Sequence, residues 1–277
     1  MASLARAAVL AYDSCMTVPA GFVEVRSRRE VAWVREDLAG LGTDALWADV
    51  AAFDGAKGRG GVGLLTLPMG LVAVARPFRR GGALRKLLGD RYPGPSRVCD
   101  ELAAIERLRR EGVPTVTPLA ALARRGRTFW RLRLLTERLD GAMPLPAFCQ
   151  ADAHARRWAI EAAAVTVRLA FEAGLVHRDL HPDNVLVVRK GDKVRAALVD
   201  LDRATFEKPL PVAAKDAMLV RMARYLARHK QRIGSLGSRV DRLRFLRGLG
   251  LDRKARRKES ERLLPQLQRA LRVRGIR

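Results

Sequence analysis

An α+β chain in two parts, a small and mostly antiparallel β part followed by a helical one, is predicted by three observations. Short β-rich runs fill the first half: Phe22 to Arg26, Val31 to Val34, Leu64 to Leu67, Leu71 to Ala75 and Phe129 to Thr136, punctuated by Gly and Pro. Past Asp202 the apolar residues take up a helical period over about 215–230, 239–249 and 255–273, with Gly234, Gly237, Gly248 and Gly250 as breakers. Between the two halves lies a charged run, His177 to Asn184, whose spacing is H-R-D-x-x-x-x-N.

In the first part, residues 37–53 read as a helix after two short strands. Gly58, Gly60 and Gly63 then fit G-x-G-x-x-G. They stand between β-rich runs rather than before a helix, which is the arrangement of the loop that kinases fold over nucleotide phosphates. An ordinary glycine-rich hairpin reads the same way. The next strand ends in Arg76, where kinases place a lysine, and residues 97–111 carry Val98, Leu102, Ile105 and Leu108 at helical spacing. Glu101 falls on that inward side, so it is the expected partner of the Arg76 cation, although the fork of arginine and the point charge of lysine are not equivalent. Pro114 and Pro118 bracket a loop-strand passage, and the strand through Thr136 delivers Glu137 to Gly141. There a hinge between lobes binds adenine through backbone groups, with Glu137 and Leu139 as its candidates.

The second part opens at Pro144 and Pro146 and continues as a helix over 153–173, with Trp158, Ala162, Val165 and Leu169 as its apolar face and Gly174 as its terminator. After the H-R-D run, Val185 to Val188 and Ala196 to Val199 flank a turn at Gly191 and Asp192 and deliver Asp200. Helix, catalytic loop, hairpin and metal-binding Asp is the order of a protein-kinase-like two-lobe fold, with an N-lobe over 1–139 and a C-lobe over 140–277. Phosphoryl transfer needs a carboxylate to orient the accepting hydroxyl and oxygen ligands to hold Mg²⁺ on the phosphates of ATP. Asp179 is the candidate for the first, Asn184 and Asp200 for the second, and Asp202 is a reserve ligand. The competing reading is a helix-loop-strand connection whose Asp and Asn only cap turns.

Hydrophobic content of 48% excludes global disorder. Cys15, Cys99 and Cys149 are odd in number with no C-x-x-C, so neither a disulfide framework nor a zinc site is suggested, and a reducing cytosol is expected. The longest uncharged run, Gly60 to Ala75, holds 16 residues and a proline, whereas a membrane span needs about 20 apolar residues. The stretch from Ala7 to Tyr12 is too short and polar for a signal segment. Net charge is +24, and from Arg203 onward 22 Lys and Arg face 6 Asp and Glu. Such a field attracts nucleic acid, anionic lipid or phosphorylated glycolipid, unless it is a solvated arginine-rich surface.

Several segments together resemble the lipopolysaccharide core kinases, the Kdo (3-deoxy-D-manno-octulosonic acid) kinase and heptose kinase family. They are Arg76 to Gly82, Asp90 to Tyr92, Arg97 with Glu101, Gly112 to Thr115, Leu135 to Arg138, His177 to Asn184, Val199 to Arg203 and Arg244 to Arg247, and they span most of residues 58–250. His181 departs from the Asn usual in Kdo kinases, and heptose kinases usually lack the stretch Pro182 to Asn184. The resemblance implies transfer of the ATP γ-phosphate to an inner-core sugar hydroxyl at the cytoplasmic face of the inner membrane. The implied partners are an anionic glycolipid acceptor, Kdo-lipid A or heptosylated core, and the membrane surface, with nucleic acid not expected.

Two other enzyme readings and one non-enzymatic reading compete. A small-molecule phosphotransferase shares the catalytic spacing, but such enzymes often carry acidic clusters for cationic substrates, and none follows Asp202. A protein Ser/Thr kinase lacks support because there is no D-F-G and no A-P-E. A pseudokinase-like basic binding module is opposed by the presence of Asp179, Asn184 and Asp200 together.

Overall fold

The structure, a computed structural model, describes residues 18–52, 62–79, 89–234 and 236–273. Seven strands form one antiparallel sheet: β1 (Phe22–Arg26), β2 (Glu30–Arg35), β3 (Ala51–Ala52), β4 (Gly63–Thr66), β5 (Val72–Pro77), β6 (Pro118–Arg125) and β7 (Trp130–Glu137), in the order β1-β2-β6-β7-β5-β4-β3. Strands β2 and β6 are buried on both faces. In β2, Val31 and Trp33 join one apolar cluster while Ala32 and Val34 join another across the sheet, the period-2 alternation of a pleated strand. Helix α1 (Gly42–Trp47) is shorter than the expected 37–53. A 3-10 turn over Glu36–Leu41 precedes it, Gly42 breaks the run with φ 71°, and the chain is already extended at Ala51. Helix α2 (Ser96–Arg110) lays fully buried Val98, Leu102, Ile105 and Leu108 against the sheet.

The helical part contains α3 (Leu145–Ala151), α4 (Arg156–Glu172), α5 (Val212–Arg228), a short α6 (Lys230–Ile233), α7 (Arg239–Gly248) and α8 (Arg253–Arg272). Two small sheets flank the loop His177 to Asn184. β8 (Met143–Pro144) pairs with β10 (Val185–Lys190), which forms a hairpin with β11 (Lys193–Leu198), and β9 (Leu175–Val176) pairs with β12 (Thr205–Phe206).

Helix α4 lies where expected but buries a different face. Its covered stripe is Ala159, Ala163, Val167 and Ala170, whereas Trp158 is 46% exposed beneath the Arg157 guanidinium. Small side chains let α7 come close: a Cβ on Gly248 would lie 2.6 Å from the Ala164 Cβ and 3.2 Å from the Glu161 carbonyl oxygen. Gly248→Ala is therefore expected to cost about 1–3 kcal/mol through overpacking, read as a lower denaturant midpoint. On α7, Leu246 is buried but Leu243 is 45% exposed.

Candidate active site

The catalytic loop follows β9 and is held from both ends. The Asn184 side-chain amide donates to the Asp179 carbonyl at 3.1 Å, and the Asn184 carbonyl accepts from the Val199 N–H at 3.0 Å. One residue thus ties the loop that carries Asp179 to the strand end that delivers Asp200. Asp200 adopts φ 58° and Arg203 φ 59°, a left-handed conformation that Asp tolerates better than most side chains. His177 is buried, which pushes its imidazole pKa below the ordinary value. Its Nε2 sits 3.3 Å from the Asp202 carbonyl, and its backbone N–H donates to the Met218 sulfur. Arg97, His177, Asp179, Asp200, Asp202 and Arg203 are among the residues lining a cleft of about 670 Å³.

Arg76 and Glu101 meet, as the inward spacing of Glu101 predicts. The guanidinium pairs with the Glu101 carboxylate and also stands 3.4 Å from Asp200. Glu101 is 1% exposed, and burial raises its pKa to about 7 with Arg76 pulling the other way. Burial alone would lower the pKa of Arg76, but Glu101, Asp200 and Asp202 hold it above its ordinary value. Phe78 lies beneath this cation at 4.7 Å.

Asp202, the reserve metal ligand of the sequence, is engaged by Arg97. Arg97 forks onto both carboxylate oxygens, with Nε donating to Oδ1 at 2.7 Å and Nη2 to Oδ2, in the bidentate geometry that satisfies a carboxylate most completely. That fork joins the first turn of α2 to the loop just past Asp200, and Arg97 rests over the rings of Tyr92 at 5.2 Å and Phe78 at 5.8 Å.

Gly58 and Gly60 lie outside the described residues. Gly63 is buried in β4, where a Cβ would fall 2.4 Å from the Val50 side chain, so strand packing gives this glycine a reason of its own. At the expected hinge the Glu137 N–H donates to the Thr117 carbonyl and the Arg138 N–H to the Val72 carbonyl. The Leu139 carbonyl closes a turn by accepting from Ala142 at 3.1 Å.

Helix α5 supplies contacts that the sequence reading missed. Arg221 pairs with the Asp179 carboxylate, and the Tyr225 hydroxyl donates to Asp183, each across 42 residues. Their spacing of four places both on one helix face, but nothing local indicates which loop that face meets. Farther along, Arg247 pairs with Glu161 at 2.9 Å and Arg257 with Glu261 at 2.9 Å, so part of the basic C-terminal surplus is used internally. Arg242, Arg253, Lys254 and Lys258 are exposed. Cys99 and Cys149 are free and buried, and burial pushes the Cys149 thiol up to about 11. Among the described residues no helix is long and apolar enough to cross a membrane.

An antiparallel sheet over a helical part, with an Arg–Glu pair beside the Asp200 carboxylate, defines a kinase-type phosphotransferase with a protein-kinase-like two-lobe fold. Residues 44–247 match the model of the lipopolysaccharide kinase (Kdo/WaaP) family, and the chain belongs to that family. It is similar to the 3-deoxy-D-manno-octulosonic acid kinase of Xanthomonas euvesicatoria pv. vesicatoria, 31% identical over 180 residues that make up 64% of this chain and 70% of the relative. The enzyme of the same name from Xylella fastidiosa is 30% identical over 180 residues, with the same shares of each chain. A solved structure described as WaaP in complex with acyl carrier protein shares the fold, with a TM-score of 0.56 and 24% identity over 82% of this chain and 90% of that one. Membership of the family implies ATP as the phosphoryl donor.

Proposed function

We propose that this protein transfers the γ-phosphoryl group of ATP to a sugar hydroxyl of the lipopolysaccharide inner core, with Asp179 as general base. The observation that carries the reading is the joining of Asp179, Asn184 and Asp200 through the Asn184 hydrogen bonds, beside the Arg76–Glu101 pair. In the reaction the acceptor oxygen bonds to phosphorus, its proton passes to the Asp179 carboxylate, and the bond from phosphorus to the ADP oxygen breaks. The amide oxygen of Asn184 and the carboxylate of Asp200 are hard donors that suit Mg²⁺, which supplies charge neutralisation on the phosphates when bound. Arg76, held by Glu101, is the cation for the phosphates. Gly58, Gly60 and Gly63 form the phosphate cover, and Glu137 and Leu139 the adenine contacts, on a hinge that divides the lobes at 139/140.

Kdo, the sugar in the names of the relatives, is the first acceptor to test, and heptose the second. Labelled ATP with Mg²⁺ is offered with Kdo-lipid A, heptosylated core, an aminoglycoside and a generic protein, and the product is located by mass spectrometry. Label on a core sugar is the expected result; label confined to the aminoglycoside or the protein overturns the reading.

The cytoplasmic face of the inner membrane is the proposed site of action, with exposed Arg242, Arg253, Lys254 and Lys258 toward anionic headgroups. Each such cation is worth about 1 kcal/mol near an anionic surface and is screened within about 8 Å at physiological salt. Sedimentation with anionic vesicles is therefore expected at low salt and lost as salt rises, and its absence at low salt removes the membrane proposal.

A further inference from the structure

Two pairs on one face of α5 hold the catalytic loop, and they differ in kind. Asp183 accepts from Tyr225 and from Arg232, the latter at 3.0 Å. The Tyr225 ring is itself stacked on His181, with centroids 4.7 Å apart and planes 10° from parallel. That arrangement is a clamp, partly covered and held from several sides. The other pair, one turn earlier on α5, is Arg221 with Asp179, whose side chain is 54% exposed. It occupies Oδ1 of the carboxylate that the transfer uses.

A hydroxyl that hands its proton to Oδ1 of Asp179 takes the place of the Arg221 N–H donor on that oxygen. The released guanidinium is only 31% exposed, and a half-covered cation without a partner is unfavourable. A neutral acceptor leaves it in that state. An acceptor with an anionic group next to its reactive hydroxyl gives Arg221 a new partner as it takes the old one, so the exchange conserves the ion pair. The clamp at Asp183 keeps α5 seated, so Arg221 stays within reach after release. Exposed Arg178 and Arg203 line the same cleft as Asp179 and add attraction for an anion.

We propose that Arg221 is the specificity-determining residue for the acceptor: it reads a carboxylate or phosphate adjacent to the accepting hydroxyl, and that anion displaces Asp179 from it. The inference rests on the kinase reading above and adds the chemical class of group that the acceptor carries beside the hydroxyl.

The test compares three acceptors with the full-length protein, ATP and Mg²⁺: Kdo-lipid A, its carboxyl methyl ester, and Kdo-lipid A stripped of its lipid A phosphates. Removing the anion that Arg221 reads is expected to lower kcat/KM of the parent roughly ten- to hundredfold, mainly through KM. Loss on esterification identifies the sugar carboxylate, and loss on dephosphorylation identifies a phosphate. In Arg221→Gln the charged and neutralised acceptors are expected to become equivalent within about threefold, while Arg221→Lys, which keeps the charge without the fork, retains part of the preference. The proposal is overturned if neither neutralisation costs the parent more than threefold, a result that needs no variant to fold, or if Arg221→Gln keeps the parental ratio. A parent that phosphorylates none of the three excludes Kdo as the acceptor, and the same comparison is made on heptosylated core with and without its phosphates, where failure to transfer overturns the kinase reading instead.

Discussion

Asp179→Asn is expected to lower phosphoryl transfer by about 10²–10⁴-fold while ATP still binds. The two side chains have nearly the same shape, and the loop is fixed by groups that the substitution leaves in place: the Asp179 carbonyl still accepts from Asn184, and Val199 still donates to the Asn184 carbonyl. What changes is basicity, together with the ion pair to Arg221. An amide can hydrogen-bond to the accepting hydroxyl but cannot take its proton, so the defect belongs in kcat for transfer and not in the ATP concentration at half-saturation. Nucleotide binding followed by a fluorescent ATP analogue, beside transfer to Kdo-lipid A, separates the two. Transfer within a few-fold of the parent would remove Asp179 from the role of base.

The parts of this molecule that sequence made legible are those whose cause is local. His177 to Asn184 is contiguous, so its spacing alone places a carboxylate and an amide on one loop. The helices that became α5, α7 and α8 follow from period and from glycine breakers, and the structure puts them within a few residues of the expected bounds. Glu101 could be assigned to Arg76 because a helix period marks it as inward. Ambiguity entered where composition carries no contrast. Alanine occurs all around α4, so size could not show which stripe packs, and the large Trp158 turned out to be the exposed residue. Strand β6 is alanine-rich with no β-branched residue, and it reads as a strand only once its neighbours β2 and β7 are in place. Contacts over long separations were out of reach altogether. Arg97 lies 105 residues before Asp202, and its fork makes an ion pair between α2 and the loop just past Asp200. Arg221 and Asp179 are the same kind of case.

Arg76→Ala and Glu101→Ala are each expected to raise the ATP concentration needed for half-maximal rate, with the double variant little worse than either single one. The two groups form one interaction, and partners in contact show coupling of about 0.5–3 kcal/mol in a double-mutant cycle. The Arg76 side chain is 26% exposed, so the coupling should fall below the 3–5 kcal/mol typical of breaking a fully buried pair. The pair also predicts a pH dependence of definite sign. Burial raises the Glu101 pKa to about 7, so below that pH the carboxyl is increasingly protonated and offers no opposite charge to Arg76. Coupling measured at pH 8 should therefore exceed coupling measured at pH 6, and Glu101→Gln, which imitates the protonated group, should cost more at the higher pH. Asp200, 3.4 Å from the same guanidinium, keeps part of the cation's environment when Glu101 is removed, which makes Arg76→Ala the more damaging single change. Strict additivity at both pH values would separate the two residues functionally and move the phosphate-binding role to Arg79 or Arg80.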